Sequence, residues 1–571
     1  MPFRAPLADL EFILGHVVPL ADVAATDRFA EAGPETAEAV LAGAARLADD
    51  VLAPLRRAGE THPARLENGA VVSPPGFAEG YRAMAGGGWI GLAAPADHGG
   101  MALPQMLAVA VHDMFAGACL ALELNPLLTH GQIEALTHHG SKEQKAIYLP
   151  KLISGAWSGT MNLTEPQAGS DLGALTCRAE PDGAGRYRLT GQKIYISWGD
   201  CDFTENVSHM VLARLPGAPA GTKGISLFLA PKFLPDEAGN PGPRNALRPM
   251  SLEHKLGLHG APTAVMAFEG ATAELVGAPH QGLAAMFTMM NNARLGVGVQ
   301  GVGVAEAALQ QALAHALERR QGRPLSGTSG MIVDHADVRR MLAVARAELF
   351  AARALMLDCA RAIDLAAATG EADWQARAAL LTPIAKAHGT ETGIRVASEA
   401  MQVQGGMGYI EETGAAQFLR DVRVTAIYEG TNGIQAMDLV GRKMADDGAA
   451  ALARIEEARE TARRAEVAGL AALARPVAAA AEAMASGTRA LLGHGLEDRF
   501  AGAVPYLAAF ARLLGAEYHL RAALAEGGAG PRTTLARVFM ERCLPEHTAR
   551  LAEAGAGAGA LMALPPEALH G

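Results

Sequence analysis

The sequence predicts a mostly α-helical chain with one β domain in its middle and a helical extension at its C-terminal end. Half of the 571 residues are hydrophobic but only 5% are aromatic. The apolar content is therefore mostly Ala, Leu, Val and Met, and an Ala-rich chain with few β-branched residues favours helices. Apolar residues lie three and four apart in the first and last parts of the chain, but alternate with polar residues in between. Helices and strands do not alternate regularly, which disfavours a doubly wound sheet.

Residues 1–158 are predicted to form an N-terminal helical domain. Helical spacing of apolar residues is found in PETAEAVLAGAARLADDVLAPLRRAG and in LPQMLAVAVHDMFAGACLALELNPLL. Glycines at 86–88 and 99–100 indicate loops between these helices. A further helix is expected to begin at Ser141, because Gln144 follows three residues later and the pair matches a capping box.

Residues 159–275 are predicted to form a middle β domain. Gly, Pro, Asn and Asp separate short β-rich runs, which are RYRLTG, KIYISWG, HMVLARL, GISLFLAPK and TAVMAFEGA. This pattern is typical of a small β sandwich or barrel.

Helical spacing returns in residues 276–445, a predicted helical bundle, and continues in residues 446–571, a predicted C-terminal extension. The bundle begins with one long helix candidate, GLAAMFTMMNNARLGVGVQGVGVAEAALQQALAHALERR. In the extension, GHGLEDR and EGGAGPRTT are expected to interrupt the helices, and the last residues to be flexible or loosely docked. Four parts agree with the number of domains that a chain of this length suggests.

The composition excludes several classes of protein. Lysine and arginine number 49 against 60 acidic residues, a net charge of −11, which argues against binding to nucleic acid or an anionic membrane. The five cysteines form no CxxC motif, so neither a disulfide framework nor a zinc site is supported. We find no signal peptide and no uncharged apolar run long enough to span a membrane. These features predict a cytoplasmic protein without membrane insertion.

Two motif-like features are interpreted as structural. Gly296–Gly301 matches GxGxxG, but the residues before it read as a helix and not as the strand that dinucleotide binding requires. We therefore expect this segment to pack helices closely through small residues. The histidines lack the spacing of a metal site, so no metal is predicted.

Three segments have residue types suited to ligand binding or catalysis. In Met161–Asp171 two hydroxyls and a Gly-Ser backbone can approach a ring edge or a phosphate, although an ordinary turn has the same composition. In Lys193–Trp198 an aromatic and a hydroxyl on one strand face can contact a flat cofactor, but taken alone the segment is better explained as a half-buried strand. In the third segment, Glu429 lies between an apolar stretch and a glycine turn. Partial desolvation there would make it a stronger base, whereas the alternative is a helix-capping residue.

Four segments in this order resemble the acyl-CoA dehydrogenase family of flavoproteins: TEPQAGSD, ERRQGR, QVQGGMGY and IYEGTNGIQ. The resemblance covers roughly residues 80–445. The extra N-terminal piece and the C-terminal extension are similar to a larger subgroup that includes the 3-methylmercaptopropionyl-CoA dehydrogenases. The resemblance implies a helical domain, a β domain and a helical bundle, with FAD bound in an extended form between the last two.

The resemblance also assigns cofactor contacts. The loop and strand residues that would line the flavin and pyrophosphate are Met161, Leu163, Thr164, Ser170, Tyr195 and Ser197. The residues that would reach the FAD of a neighbouring subunit are Arg319 and Gln321, and those that would contact the adenosine half are Gln402, Gly405 and Gly406. Thr431 and Asn432 would close over the cofactor.

The family places its catalytic base in one of two positions, and only one is occupied by an acid here. The first is Glu429, and the second corresponds to Ala293, which cannot accept a proton. The resemblance therefore implies Glu429 as the base. Contacts with the substrate are expected from Asn291, Arg294 and Gly430.

The implied reaction is oxidation of an acyl-CoA to the trans-2-enoyl-CoA, with a short or medium acyl-CoA or 3-(methylthio)propanoyl-CoA as the candidate substrates. Glu429 would remove the α-proton while a β-hydride passes to FAD, and electrons would leave to an electron-transfer flavoprotein. A homodimer is expected. The alternatives are an acyl-CoA oxidase, a nucleic-acid-associated flavoprotein of the alkylation-response type, and, more remotely, a purely structural helical protein.

Overall fold

The computed structural model describes residues 3–183, 185–327 and 329–570. The helices are α1 Leu7–Phe12, α2 Ala21–Ala24, α3 Pro34–Leu47, α4 Leu55–Thr61, α5 Phe77–Gly86, α6 Gln105–His139, α7 Lys142–Ile153, α8 Gly282–Glu318, α9 Ala336–Thr369, α10 Ala372–Gln404, α11 Ala415–Arg423, α12 Asn432–Asp438, α13 Ala449–Val467, α14 Ala471–Leu492, α15 Leu496–Ala501, α16 Ala503–Ala525, α17 Pro531–Arg542, α18 Glu546–Ala554 and α19 Gly559–Ala563. The strands are β1 Arg65–Glu67, β2 Ala70–Val72, β3 Trp157–Asn162, β4 Arg178–Pro181, β5 Tyr187–Ser197, β6 Asn206–Arg214, β7 Ile225–Pro231, β8 Phe233–Pro235, β9 Pro241–Arg244, β10 Leu247–Leu252 and β11 Thr263–Val276. The predicted fold class, helical with a middle β domain and a helical extension, is confirmed.

The β domain closes into a small barrel. Strand β11 pairs with β5 and β7, β5 pairs with β4, and β6 pairs with both β4 and β7, so the five strands form a ring. Strand β3 adds parallel to β6, and β10 adds antiparallel to β11. The runs RYRLTG and KIYISWG, expected as separate strands, are one strand. A Cβ at Gly191 would lie 2.9 Å from Sγ of Cys177, so the glycine lets β5 continue past its neighbour.

The helical core is built around α6, α8 and α10. Helix α6 is broken at Cys119, whose backbone is not helical, and its most apolar window is 94% buried inside the protein. It is the one described helix with the length and apolarity to cross a membrane, and it packs here as a core helix. A Cβ at Gly301 would lie 2.3 Å from the carbonyl oxygen of Gly389 on α10. The GxGxxG segment is therefore a close helix contact, as predicted.

Two predictions at helix ends can be compared with the structure: the capping box at Ser141 and the helix break at GHGLEDR. Ser141 and Gln144 form both hydrogen bonds of a capping box at the start of α7. GHGLEDR, predicted to interrupt the helices, does so only at Gly493–Gly495, and its last four residues lie in the short helix α15. The C-terminal residues carry exposed apolar side chains, including Leu561 and Leu569, which agrees with weak docking.

The C-terminal extension shares a core with the rest of the helical chain. One cluster of buried side chains runs from Leu10 to Ala554. Asp358 on α9 is fully buried and accepts hydrogen bonds from Tyr518 on α16 (2.7 Å) and from Arg377 on α10 (2.9 Å). Arg454 on α13 lies 3.5 Å from the same carboxylate. This cluster fixes the extension against the bundle. The division of the chain into four domains at the stated boundaries stays a prediction.

Candidate active site

Glu429 lies in a strained turn between α11 and α12. Its φ is +55° and that of Gly430 is +87°, a left-handed conformation that a non-glycine residue adopts only when its surroundings enforce it. Burial raises the pKa of Glu429 to about 7, and the charges of Arg294 and Lys386 act in the opposite direction. A carboxyl group with a pKa near neutrality is suited to proton transfer at physiological pH.

Arg294 on α8 forms one side of this site. Its guanidinium is buried, donates to Asn291 Oδ1 at 3.2 Å and lies 3.5 Å from Asp438 Oδ2. A Cβ on Gly430 would lie 3.9 Å from Arg294 Nη2, so the arginine is a direct neighbour of the base. The structure therefore brings together Asn291, Arg294, Glu429 and Gly430, whose roles in catalysis and substrate contact stay predictions.

Lys386 on α10 lies on the other side of the Glu429 turn, and sequence reasoning missed this residue. Its ammonium group is fully buried and donates to the carbonyl oxygen of Gly430 at 2.9 Å and to Asn432 Oδ1 at 3.0 Å. Burial lowers the pKa of Lys386 to about 7 despite the opposing charge of Glu429. The available signal was a lone lysine in the otherwise apolar run LLTPIAKA.

Thr431 and Asn432 follow Gly430, and both form hydrogen bonds within the chain. The Thr431 hydroxyl caps α12 by accepting from the Ile434 N–H at 3.3 Å. The Asn432 amide donates to Glu391 Oε1 at 2.8 Å and accepts from Lys386. Their predicted contact with the cofactor stays a prediction. The contacts present show that both residues hold the turn of Glu429.

The second group of predicted residues lies on the barrel. Tyr195 is 62% exposed near the end of β5, with a left-handed φ of +61°, and Ser197 is half-buried beside it. The loop Met161–Asp171 packs against this strand, since Ile194 N–H donates to the carbonyl oxygen of Thr164 at 2.9 Å. Met161 is buried in β3, Leu163 and Thr164 are partly exposed, and Ser170 is exposed. A flat exposed aromatic beside a polar loop can bind an extended planar ligand.

A buried ion pair holds that loop on the strand. Lys193 Nζ donates to Glu165 Oε1 at 2.8 Å and to the carbonyl oxygen of Leu163 at 2.9 Å. Glu165 also accepts from the backbone N–H groups of Thr176 (2.7 Å) and Cys177 (3.0 Å). Burial acts to raise its pKa, but Lys193 and these donors outweigh it and hold the pKa at about 2. Sequence reasoning missed this pair because its members are 28 residues apart.

The third group of predicted residues lies far from Glu429 within one chain. Arg319 directly follows α8, 25 residues after Arg294, which at 1.5 Å per residue corresponds to about 37 Å. Gln402 is on the last turn of α10, and Gly405 and Gly406 follow that helix. These residues and Gln321 are exposed, and no residue of the described ranges pairs with the Arg319 guanidinium. At that separation Arg319 cannot contact a ring held beside Glu429 of its own chain.

A cavity of about 400 Å³ extends from Arg294 between α6, α8 and α10. Its lining combines apolar side chains such as Leu127 and Leu295 with polar ones such as His112 and Asn291. A mixed lining of this size suits a small organic group. No cluster of His, Cys, Asp and Glu among the described residues could hold a metal ion.

Comparison with known proteins places the whole chain in one group. Models of the acyl-CoA dehydrogenase N-terminal, middle and C-terminal domains match residues 34–156, 160–271 and 280–445, and an acetyl-CoA dehydrogenase C-terminal-like model matches residues 451–565. The chain is 45% identical over 519 residues to 3-methylmercaptopropionyl-CoA dehydrogenase of Ruegeria pomeroyi, covering 89% of this chain and 88% of that one. It is 34% identical to the broad-specificity linear acyl-CoA dehydrogenase FadE5 of Mycobacterium tuberculosis, covering 79% and 77%.

Solved structures show the same fold at lower identity. Caenorhabditis elegans ACDH-11 in complex with C11-CoA has a TM-score of 0.78 at 21% identity, covering 95% of this chain and 91% of that one. An acyl-CoA dehydrogenase complexed with FAD from Bacillus anthracis has a TM-score of 0.76 at 20% identity, covering 97% and 92%. Both alignments include nearly the whole chain and therefore also the extension.

Proposed function

The chain belongs to the acyl-CoA dehydrogenase family, and on that premise we propose that it oxidises an acyl-CoA thioester at its α,β bond with Glu429 as the base. The observation that carries this assignment is the turn of Glu429, where a carboxyl group with a pKa of about 7 lies beside Arg294 and Lys386. The alternative position for a base in this family corresponds to Ala293, which is buried and has no acidic group.

The cofactor is FAD, and the exposed residues of the barrel fit it. Tyr195 presents its ring outward near the end of β5, next to the loop that Glu165 and Lys193 hold in place. We propose that Tyr195 and Ser197 contact the ring system and that Thr164 and Ser170 bind its polar edge and phosphates. When bound, FAD supplies the acceptor for the hydride that leaves the β-carbon.

The protein's part in the reaction is to remove the α-proton. Partial burial makes the Glu429 carboxylate a stronger base, because its neutral form, which exists after proton transfer, is favoured there. The Glu429 N–H donates to no acceptor within the described part of the chain, so it is free to polarise the thioester carbonyl. Arg294 and Asn291 line the cavity beyond the base and would contact the acyl or pantetheine part.

The dimer and the electron acceptor are further parts of the proposal. The long separation between Arg294 and Arg319 supports a homodimer in which Arg319, Gln321, Gln402, Gly405 and Gly406 serve the partner's FAD. An electron-transfer flavoprotein is proposed as the acceptor, and hydrogen peroxide release during turnover would identify an oxidase instead. Five free, buried cysteines support a reducing, cytoplasmic location.

The substrate is proposed to be a short or medium acyl thioester. Identity of 45% to the Ruegeria pomeroyi enzyme makes 3-(methylthio)propanoyl-CoA a specific candidate. Nucleic acid is disfavoured as a partner, because the extension has 13 arginines and no lysine against 15 acidic residues, and net negative charge opposes binding to phosphates.

The test is anaerobic titration of the flavin-loaded protein with acyl-CoAs of increasing chain length and with 3-(methylthio)propanoyl-CoA. The proposal predicts that at least one thioester bleaches the flavin absorbance and yields its 2-enoyl product. Failure of every thioester to reduce the flavin would refute it.

A further inference from the structure

The cavity beside Arg294 has a polar wall that a plain alkyl chain does not use. His112 and His130, both on α6, contribute to its lining. Their ring centroids are 4.8 Å apart with an interplanar angle of 64°. Burial lowers the pKa of His130 to about 3, so this ring is neutral and packs edge-on against its neighbour. Two imidazoles thus face a space otherwise lined largely by apolar side chains.

A buried carboxylate lies against one side of the His112 ring. The Nδ1 atom lies 3.2 Å from Glu123 Oε1, and the histidine side chain is only 14% exposed. Glu123 is itself buried and, within the described ranges, has His112 as its one ion-pair partner. With Nδ1 turned toward the carboxylate, Nε2 on the opposite side of the ring is the nitrogen left for the cavity.

The other oxygen of Glu123 begins a series of buried hydrogen bonds that leads toward the base. Its Oε2 atom accepts from Gln300 Nε2 at 2.9 Å, and Gln300 Oε1 accepts from the hydroxyl of Tyr428. Tyr428 directly precedes Glu429, so buried hydrogen bonds connect Glu123 to the turn of the base. Glu123 in turn lies 3.2 Å from His112 Nδ1. The position of His112 on the cavity wall is therefore linked by buried contacts to the turn of the base.

We propose that His112 is a specificity-determining residue that selects acyl thioesters with a neutral hydrogen-bonding group, above all a hydroxyl, on the acyl chain. This inference rests on the proposed function, because it identifies the cavity with the acyl site. A hydroxyl donates to a neutral imidazole nitrogen and accepts from a protonated one, so it pairs with Nε2 in either state. A methyl group in the same place excludes water from Nε2 but forms no hydrogen bond with it.

The experiment compares thioesters in which a terminal hydroxyl replaces a terminal methyl. The pairs are 6-hydroxyhexanoyl-CoA with heptanoyl-CoA and 8-hydroxyoctanoyl-CoA with nonanoyl-CoA, and the measurement is kcat/KM for each. In the unmodified enzyme we expect the hydroxylated member to be favoured for at least one pair. His112→Phe should lower that preference about tenfold, the size of one buried hydrogen bond.

Three further variants make the comparison decisive. His112→Phe combined with Glu123→Gln removes the imidazole without leaving an unpaired charge, and is expected to show the same loss of preference. His112→Gln keeps a hydrogen-bonding group and should retain part of it. Thr382→Val is the matched control, because Thr382 also lines the cavity but its hydroxyl donates within its own helix to Ala378. The preference of Thr382→Val for hydroxylated thioesters should equal that of the unmodified enzyme.

Two results would overturn the inference, and they are distinguishable. If the thioesters bleach the flavin but the hydroxyl preference is absent or the same with and without His112, only the role of His112 is wrong. If no thioester bleaches the flavin, the proposed function fails and this inference fails with it.

Discussion

Replacing Lys386 by methionine is expected to shift the pH dependence of catalysis upward and to slow the reaction. In the structure the ammonium group donates to Gly430 and Asn432, which flank the turn of Glu429 on its C-terminal side. Its charge also lowers the pKa of Glu429. Methionine preserves the length of the side chain but removes both donors and the charge.

The size of the expected effect depends on which hydrogen bonds Gly430 and Asn432 keep after the substitution. Hydrogen bonds from a charged donor contribute about 1.5–3 kcal/mol each. Gly430 retains a weak contact with Gln435 at 3.4 Å, and Asn432 retains its bond to Glu391. Because burial lowers the Lys386 pKa to about 7, part of the molecules lack the charge at neutral pH. We therefore expect a loss of about 2 kcal/mol in unfolding free energy, and up to about 10²-fold in rate if the base moves by ~1 Å.

The assay is stopped-flow flavin reduction by a saturating acyl-CoA as a function of pH. A general base works when deprotonated, so the rate rises as pH increases through the pKa of Glu429. Removing a nearby cation raises that pKa, so the rising part of the pH–rate profile must move to higher pH. Lys142→Met on the exposed surface of α7 is the control and should leave the profile unchanged. If the rising part of the pH–rate profile is unshifted in Lys386→Met, or moves to lower pH, the reasoning is refuted.

Three other predictions concern stability and cofactor binding. Asp358→Asn should cost about 3–5 kcal/mol in denaturant unfolding, because it leaves buried arginines uncompensated, and an unchanged midpoint would contradict this. The Glu165 pKa of about 2 lies below its ordinary 4.5, so its stabilisation is present above pH 4.5 and is lost toward pH 2. Glu165→Gln should thus destabilise the protein at pH 7 but little near pH 2, and a pH-independent difference would exclude this linkage. Arg319→Ala should leave the melting temperature of the apoprotein unchanged and lower the flavin content per subunit, whereas full flavin content would exclude a role in binding.

The order of helical and β regions could be predicted because it follows from local periodicity. The capping box at Ser141 and the close glycine packing at Gly301 are equally local, and both are confirmed. The single strand β5 could not be predicted, because Gly191 interrupts the β-rich pattern and its use depends on the neighbouring Cys177. The helix break predicted at GHGLEDR was right for residues 493–495 but wrong for residues 496–499, which form the start of α15.

The residues of the candidate site likewise divide into those that the sequence predicts and those that only the structure reveals. Glu429 and Arg294 were found through family motifs, and the structure places them side by side. Lys386 is 43 residues from Glu429 in sequence, and its role depends on how α10 packs beneath the turn. The pairing of Glu165 with Lys193 likewise depends on tertiary contacts, and that of Glu123 with His112 spans the break in α6 at Cys119. No spacing rule in a single sequence predicts such partners.

The most direct test of the central claim is anaerobic flavin reduction by an acyl-CoA, with the unmodified enzyme and Glu429→Gln measured side by side at equal flavin content. If Glu429 removes the α-proton, the unmodified enzyme is bleached by at least one straight-chain thioester, and the variant is slower by at least ~10²-fold. Reduction of the variant at a near-normal rate would show that another group is the base. Absence of bleaching in both proteins would contradict acyl-CoA dehydrogenation itself.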